Sequence, residues 1–477
     1  MKEGQNILVL DLGSTHLKAC VVSQKLEILF ESHKDNLRIQ TDYYTALDVE
    51  DIGSFIFKAI ADTVDEYDVK EIVVSTHGSC LALLDYTDDS FSPFNAHLAM
   101  PVMFYGQEIP KEIQAEYSQQ APNFLETFAD VNPLALTGAL QLFWQSEAWS
   151  NEFKQTKKIV MWPSYWGFRL SGNAYNDFSS LGAQNQIWNP RTNDYTSVVK
   201  ENGWDKLFAH AMPSAKEIGV LHPDICKEYG LENQPKILCG VHDSDANYWR
   251  FLKMGYENAS IVSSGTWIIN FNPKLDILKL EGKPDCCTNS NVKGQPLACS
   301  RYQGGIELAI LLERMGDIAV DTIVDINDIQ YVLNNTHIIL PSFAASGGPV
   351  AHTEAKGQII GGLPKTTEQK YVLAILYIAM MTQLSWDYLE TDGQIIIDGP
   401  FTKNPLFLQF MALFNPDAQL YISAESNGTL LGTALLSENI PAPKNHGLKQ
   451  VYILPEYQEI SEQLFAYKQM WIEKINI

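Results

Sequence analysis

The chain has 477 residues, 45% of them hydrophobic, and a formal net charge of -23 at pH 7 from 34 Lys and Arg against 57 Asp and Glu. That length exceeds one ordinary core, so two globular domains are expected. The acidity argues against a nucleic-acid partner, because a phosphate backbone is bound by excess Lys and Arg, but it leaves small phosphates open.

The opening "MKEGQN" leads directly into a strand, with no apolar region ahead of a small-residue cleavage site, so no secretory signal is read. Ile7–Asp11 and Leu17–Ser23 are rich in β-branched and apolar residues and read as two strands flanking a Gly-Ser turn. Leu26–Ser32 continues as a third strand. Ile52, Phe55, Ile56, Ala59, Ile60 and Val64 then recur at helical spacing. "VKEIVVSTHGS" reads as a buried strand ending in a polar loop, and "CLALLD" as a further strand. Antiparallel strands, a helix and a strand make an α/β order. A section rich in Trp and Tyr runs from about Pro101 to Pro235 and includes a predicted helix in "LQLFWQSEAWSNEF". The β signature returns at "PKILCGVHDSDANYWRFL" and "ASIVSSGTWIINFN". The domain boundary is placed in "YGLENQPK", giving domains 1–234 and 235–477. Tyr371–Leu389 is the most apolar helical segment; Thr382, Gln383, Ser385 and Asp387 interrupt it, which favours a buried helix over a membrane span.

Seven cysteines, an odd number in a large chain, argue against a disulfide framework and fit a reducing cytoplasm. Cys286, Cys287 and Cys299 lack the C-x-x-C pairs and nearby His of a zinc knuckle, so they are not read as a metal site.

Four elements carry chemistry. The first is Asp11-Leu12-Gly13-Ser14-Thr15, where Gly13 lets an anion approach the backbone and Ser14 and Thr15 offer hydroxyl donors. Asp11, at a strand end, suits a Mg²⁺ ion or its water shell. The second, Ser263-Ser264-Gly265-Thr266, repeats the strand–turn–strand plan without a carboxylate. Two such tips on one cleft would clamp a polyphosphate; either tip alone reads as an ordinary turn. The third is "GVHDSDA", Gly240–Ala246: Asp243 follows an apolar strand and can take the proton of a hydroxyl that attacks a γ-phosphate, while Asp243, Ser244 or Asp245 can equally cap the helix that follows. The neighbouring His242 reads as a structural, hydrogen-bonding residue rather than the base. The fourth is a strand ending at Asp398-Gly399-Pro400-Phe401, followed by Thr402-Lys403-Asn404 and a helix with Pro405 in its first turn. A nucleoside can lie against such a turn, although spacing alone fits a plain connection.

At these four elements the sequence resembles the FGGY carbohydrate kinases of the actin–hexokinase-like superfamily, in order and over nearly the whole chain. "DLGSTHLKA" is similar to the first phosphate motif of that family, "GVHDSDA" to its catalytic-aspartate motif and "SSGTW" to its second phosphate motif. "DGPFTKNPLFLQFMA" is similar to its adenosine motif, and "ESNGTLLGTALL" to the helix that follows. The His-Asp and Ser-Ser-Gly-Thr-Trp forms resemble the L-fuculose and L-rhamnulose kinase branch most. The resemblance implies two ribonuclease-H-like α/β domains closing on MgATP and a sugar. By it, Asp243 is the general base, and Gly13, Ser14, Thr15, Ser264, Gly265 and Thr266 hold phosphates. Gly399 and Asn404 lie by the adenosine, and Asp11 is the metal-associated residue. His77, Gly78, Tyr105, Glu108 and Asp243 are the candidate sugar contacts, a lone His such as His77 being more often structural. Trp144, Trp162, Tyr165 and Trp166 offer stacking faces or core, and Gln303 and Gly304 a loop at the cleft.

Two departures stand out. Asp398-Gly399-Pro400-Phe401 replaces the usual glycine run, with no N–H at Pro400 and a bulky Phe401. "PVMFYGQEIP", with Tyr105, Gln107 and Glu108, replaces an Asp-x-Arg sugar motif. The expected activity is a cytoplasmic, ATP- and Mg²⁺-dependent kinase of a small ketose or deoxyketose, L-fuculose or L-rhamnulose before D-xylulose. It would have no nucleic-acid or membrane partner, and a homodimer is left open. The rival readings are a non-catalytic sugar or nucleotide sensor on the same scaffold and a phosphohydrolase.

Overall fold

The computed structural model describes residues 5–87, 90–132, 134–345, 348–425, 427–443 and 447–475. The chain forms two compact units. Unit 1 comprises Met1–Tyr256, Thr288–Leu297 and Asn427–Asn445, and unit 2 comprises Glu257–Cys287, Ala298–Ser426 and His446–Ile477.

Unit 1 is organised by a mixed sheet. Its strands are β1 (Asn6–Leu12), β2 (His16–Val22), β3 (Ile28–Asp35), β4 (Val69–Thr76), β5 (Glu217–Val220), β6 (Lys236–Leu238) and β7 (Val241–His242), with helix α1 (Val49–Thr63) between β3 and β4. The spatial order is β5-β6-β4-β1-β2-β3, and β7 pairs with the end of β4. β1 runs antiparallel to β2 and parallel to β4. Ile7, Leu8, Val9, Leu10 and Leu12 are fully buried, as expected of a strand covered on both faces. The third strand starts later than its apolar run suggests. Leu26 holds a left-handed φ of 62° in the turn after β2 and its N–H bonds to Ser23 O, so extended pairing begins at Ile28 and runs to Asp35. α1 starts at the cap Asp48, whose side chain accepts from the Asp51 N–H at 3.0 Å, a contact worth about 1 kcal/mol. It buries Ile52, Ile56 and Ile60 as the spacing predicts, whereas Phe55 is only half-buried.

The position between residues 234 and 235 falls inside unit 1, because β6 pairs parallel with β4 and so belongs to the same sheet as β1. Helix α2 (Asp243–Lys253) follows β7 in unit 1. The helix Gly428–Ala434 packs on α2 there, with Gly432 so close that a Cβ would stand 1.9 Å from Ala246 O.

Unit 2 holds the second large sheet. Its strands are β8 (Ser260–Ser264), β9 (Ile268–Asn272), β10 (Cys286–Ser290), β11 (Pro296–Tyr302), β12 (Gln394–Asp398), β13 (Gln419–Ser423) and β14 (Leu448–Gln450), in the order β10-β11-β9-β8-β12-β13-β14; the end of β10 and the start of β11, within Thr288–Leu297, are counted with unit 1. Helices α3 (Gly304–Arg314), α4 (Thr367–Tyr388) and α5 (Pro405–Phe414) accompany it. α4 is capped by Thr366 and buried over most of its length among Phe407, Phe410, Met411 and Trp471, which explains its apolar run. Among the described residues no helix is long and apolar enough to cross a membrane. All seven cysteines are free.

Candidate active site

In unit 1 the β1–β2 turn is held by polar groups behind it. Asp11 pairs in register with Ser75 of β4, and Ser75 Oγ donates to Asp11 Oδ1 at 2.9 Å. Burial and then the charge of Asp243 push the Asp11 carboxyl up to about 6, against the Ser75 hydrogen bond and Lys18. Asn36 donates through Nδ2 to Gly13 O and through its backbone N–H to Thr15 O, both at 2.8 Å. The Arg38 guanidinium donates to Ser14 O and, at 3.1 Å, to Ser14 Oγ, and it lies 4.3 Å over the Phe104 ring. A guanidinium only donates, so it occupies acceptor sites of Ser14 and leaves the hydroxyl proton free for another oxygen. Thr15 is exposed at the tip.

His77 and Gly78 follow β4. The His77 ring packs edge-on against Tyr105, with centroids 5.1 Å apart, and its Nδ1 lies 3.0 Å from Gly78 O. Nε2 is buried and has no hydrogen-bond partner among the described residues. Burial lowers the His77 pKa to about 4 and so keeps the ring neutral, although the Gly78 hydrogen bond and the Asp243 charge work in the other direction. Tyr105 is within hydrogen-bonding reach of Ser14, and burial raises its phenol pKa. The next two polar residues serve elsewhere. Gln107 spends its side chain on Thr45 N–H, Thr45 O and Phe104 O. Glu108 is exposed and joins none of these contacts. Trp162, Tyr165 and Trp166 are fully buried and Trp144 nearly so; they are core, not a stacking face.

Asp243 is the first residue of α2. The cap position falls to His242, so the reading of Asp243, Ser244 or Asp245 as the cap does not hold. Asp243 Oδ1 instead accepts from Ser244 N–H at 2.6 Å and Ser244 Oγ at 3.2 Å, and lies 3.3 Å from His242 Nε2. Oδ2 has no protein partner among the described residues, and the side chain is 32% exposed. Unit 1 thus gathers Asp11, Ser14, His77, Gly78, Tyr105 and Asp243, with the Asp243 charge felt at Asp11, His77 and Tyr105. Arg38 is part of the same group, and no motif in the sequence marks it.

In unit 2 the β8–β9 tip is fixed by close backbone packing. A Cβ on Gly399 would stand 1.9 Å from Ser264 O, and Gly399 has φ 92°, so glycine is needed twice over. A Cβ on Gly305 would stand 2.3 Å from Gly265 O. Ser264 Oγ donates to Asp398 O at 2.6 Å and accepts from Phe401 N–H at 3.2 Å. Thr266 is exposed, and its carbonyl accepts from Gly305 N–H. Pro400 opens a single 3₁₀ turn, and the Phe401 ring turns inward to meet Phe407 at 5.0 Å, so both replacements for the glycine run are accommodated. Gln303 and Gly304 start α3, and the second glycine of the pair, Gly305, is the one that touches the tip. Asn404 caps α5: its Oδ1 accepts from Phe407 N–H at 3.0 Å and its Nδ2 donates to Tyr371 Oη at 2.9 Å. Beside it a mostly apolar cavity of about 640 Å³ is lined by Leu308, Val324, Tyr371, Pro400, Phe401 and Asn404, among others.

A family model described as the FGGY family of carbohydrate kinases, N-terminal domain, matches residues 6–248. A second, described as carbohydrate kinase FGGY, C-terminal domain, matches residues 256–446. The chain belongs to the FGGY family of carbohydrate kinases. Its fold is the two-domain, actin–hexokinase-like arrangement of sheets and helices found in solved FGGY kinases. It superposes with a TM-score of 0.86 on a carbohydrate kinase from Novosphingobium aromaticivorans, at 24% identity over 99% of each chain. It superposes with a TM-score of 0.77 on a ligand-bound xylulose kinase from Lactobacillus acidophilus, at 16% identity over 99% of this chain and 98% of that one. Among curated proteins it is similar to an L-fuculokinase of Haemophilus influenzae, at 24% identity over 277 residues, 55% of this chain and 56% of that protein. The match thus spans about half the length of the curated relative.

Proposed function

We propose that the protein transfers the γ-phosphoryl group of ATP to a hydroxyl of a small ketose or deoxyketose, L-fuculose or L-rhamnulose ahead of D-xylulose, with Asp243 as general base. The observation that carries this reading is the Asp243 carboxylate, whose Oδ1 is fixed by Ser244 and His242 while Oδ2 stays open in a half-exposed position. His77 Nε2, a buried nitrogen beside Tyr105 without a partner among the described residues, supports a sugar hydroxyl as the group it awaits. Gly13, Ser14 and Thr15 in unit 1 and the exposed Thr266 in unit 2 supply phosphate donors; Ser264, whose hydroxyl donates to Asp398 O, and Gly265, whose N–H donates to Trp267 O, shape the second tip, and the apolar cavity by Gly399 and Asn404 takes the nucleobase. The preference for L-fuculose leans on the named L-fuculokinase relative and on the motif forms.

Asp11 fits a divalent cation. Its half-buried carboxylate is opposed by the Asp243 charge, a setting that a cation relieves, and Mg²⁺ is commonly held by one or two carboxylates together with phosphate oxygens and water. Bound there, Mg²⁺ would neutralise charge on the phosphates. The chain's own part is positioning: Ser14 and Thr15 orient phosphate oxygens, and Asp243 takes the proton as the sugar oxygen attacks.

A panel of pentoses, ketoses, deoxyketoses and polyols with MgATP, read by ADP formation, tests the reading. Sugar-dependent ADP release is expected. Binding without release would favour a sensor, and equal release without sugar a phosphohydrolase. In Asp243→Asn, turnover should fall by about a hundredfold to ten-thousandfold while calorimetry still shows ATP binding. Near-normal turnover in that variant removes Asp243 from the base role.

A further inference from the structure

Behind the reacting face of Asp243 lies a chain of buried polar groups that proton abstraction by Asp243 alone leaves unused. His242 Nε2 stands 3.3 Å from Asp243 Oδ1, and His242 Nδ1 stands 2.7 Å from Asp245 Oδ2. Asn289 Nδ2 donates to the same Asp245 oxygen at 3.3 Å. His242 is 6% exposed, Asn289 2% and Asp245 0%. The sequence spacing sets this up. His242 is the cap of α2, and Asp243 and Asp245 are its first and third residues, so one imidazole can reach both carboxylates. The residue is anchored at its main chain, where the His242 backbone N–H donates to Ser179 Oγ at 3.0 Å, and a Cβ on Gly78 would stand 3.0 Å from Nε2, so the glycine after His77 makes room for the imidazole.

Asp245 needs a reason to be where it is. A fully buried carboxylate is among the costliest groups in a protein interior, and its Oδ1 has no hydrogen-bond partner among the described residues. An amide would satisfy a plain structural bond to a neutral imidazole at lower cost. Only a carboxylate charges the ring.

We propose that Asp245 and His242 are positioning residues of the phosphoryl transfer, Asp245 holding His242 as an imidazolium whose Nε2–H binds one oxygen of Asp243 and turns the free oxygen toward the sugar hydroxyl. This rests on Asp243 as base. A base must be an anion, and Asp11 and any incoming phosphate place further negative charge beside it. His242 is the cation that opposes them. The groups facing it are Asp243 and Asp245 on its own helix, Asp177 before the short helix Phe178–Leu181, and His77 at the end of β4. Burial, the largest influence, would lower the His242 pKa. The Asp245 hydrogen bond and the charges of Asp243, Asp245 and Asp177 together outweigh it and raise the value to about 9. At His77 burial outweighs the Gly78 hydrogen bond and the Asp243 charge, and the ring stays neutral. In the step itself the sugar O–H bond breaks, a bond forms from the sugar oxygen to the γ-phosphorus, and the bond from that phosphorus to ADP breaks. The proton ends on Asp243, His242 keeps its own, and Asp243 returns its proton to water after product leaves.

The test uses the full chain, with Asp245→Asn and His242→Gln beside the wild type, MgATP, and whichever of L-fuculose, L-rhamnulose and D-xylulose gives the fastest ADP release. In Asp245→Asn, kcat should fall about tenfold to hundredfold while KM for sugar and ATP stays within about threefold, and the acid limb of the rate profile should move up by about one pH unit. His242→Gln, which can keep a donor but not a charge, should show the same shifted limb. An unshifted limb and wild-type kcat in Asp245→Asn overturn the proposal. Nitrogen NMR of the imidazoles in the wild type reads the charge directly. A doubly protonated His242 near neutral pH is expected, and a singly protonated ring overturns the proposal even where the variants do not fold. A wild type that phosphorylates none of the three sugars, with His242 still doubly protonated, counts against the kinase reading and not against the charged ring.

Discussion

The two hairpin tips share one plan and differ in where the carboxylate stands. In unit 1, Asp11 is on the hairpin strand β1 and pairs with Ser75 of the parallel strand β4. In unit 2, Ser263 is on the hairpin strand β8 and pairs with Asp398 of the parallel strand β12. The same acid–serine pair recurs with its strands exchanged. The supports differ as well. The first tip is held by side chains, Asn36 and Arg38, whereas the second is held by backbone contact through Gly399 and Gly305. The first should therefore be sensitive to charge and tolerant of an added methyl group, and the second the reverse.

The largest effect should come from charge at the first tip. Asp11→Asn keeps the shape and removes the anion, and kcat with MgATP should drop on the order of a hundredfold to a thousandfold, as for other groups that stabilise transferring charge. Asp398→Asn should cost less than about tenfold, because that carboxylate lies on the strand beside the hairpin rather than on it. Steady-state kinetics of the two variants decide the matter: equal losses would make the tips functional equals and erase the contrast.

Next in size is bulk at the second tip. Gly399→Ala meets Ser264 O at 1.9 Å with φ at 92°, so the tip must shift. We expect about 2–3 kcal/mol of lost stability from the strained backbone and a KM for ATP raised about tenfold. Gly13→Ala meets only His16 O, at 3.0 Å, and should cost under about 1 kcal/mol. Urea unfolding and ATP titration of both variants sharpen the comparison, and a Gly13→Ala as damaging as Gly399→Ala would break it.

Much of this was legible because it depends on local chemistry. The apolar runs around Asp11 and Ser264 read as strands, and the segment after Asp243 as the start of a helix, and both form. What the sequence concealed is tertiary. Arg38 lies in "NLRIQ", far from Ser14 in character, and only the fold brings its guanidinium to that turn. Asp245 sat within a motif that was already recognised, but as a capping residue, because the reach of His242 to both acids depends on the ring rotamer. Phe401 read as an obstacle to a nucleotide since its inward turn onto Phe407 is set by packing. The division near residue 234 missed that β6 pairs with β4, a long-range contact with no local signal.

The smallest effect concerns Arg38, and it tests whether the first tip depends on side chains at all. Lysine keeps the charge but has no planar fork, so Arg38→Lys should lose the paired donation to Ser14 and most of the stacking on Phe104. Hydrogen bonds from a charged donor contribute about 1.5–3 kcal/mol each at most, and Lys should retain part of that, leaving a deficit near 1 kcal/mol. Since Ser14 is a phosphate donor in the proposed reaction, the deficit should appear as about a fivefold loss in kcat/KM for ATP. Thermal unfolding should barely change, because Arg38 is only half-buried and no carboxylate is left unpaired by its loss. Arg38→Ala should lose more, and in the same parameter. A loss in Tm without a change in kcat/KM would place Arg38 among the supports of Phe104, and the first tip would then be held, like the second, by its backbone.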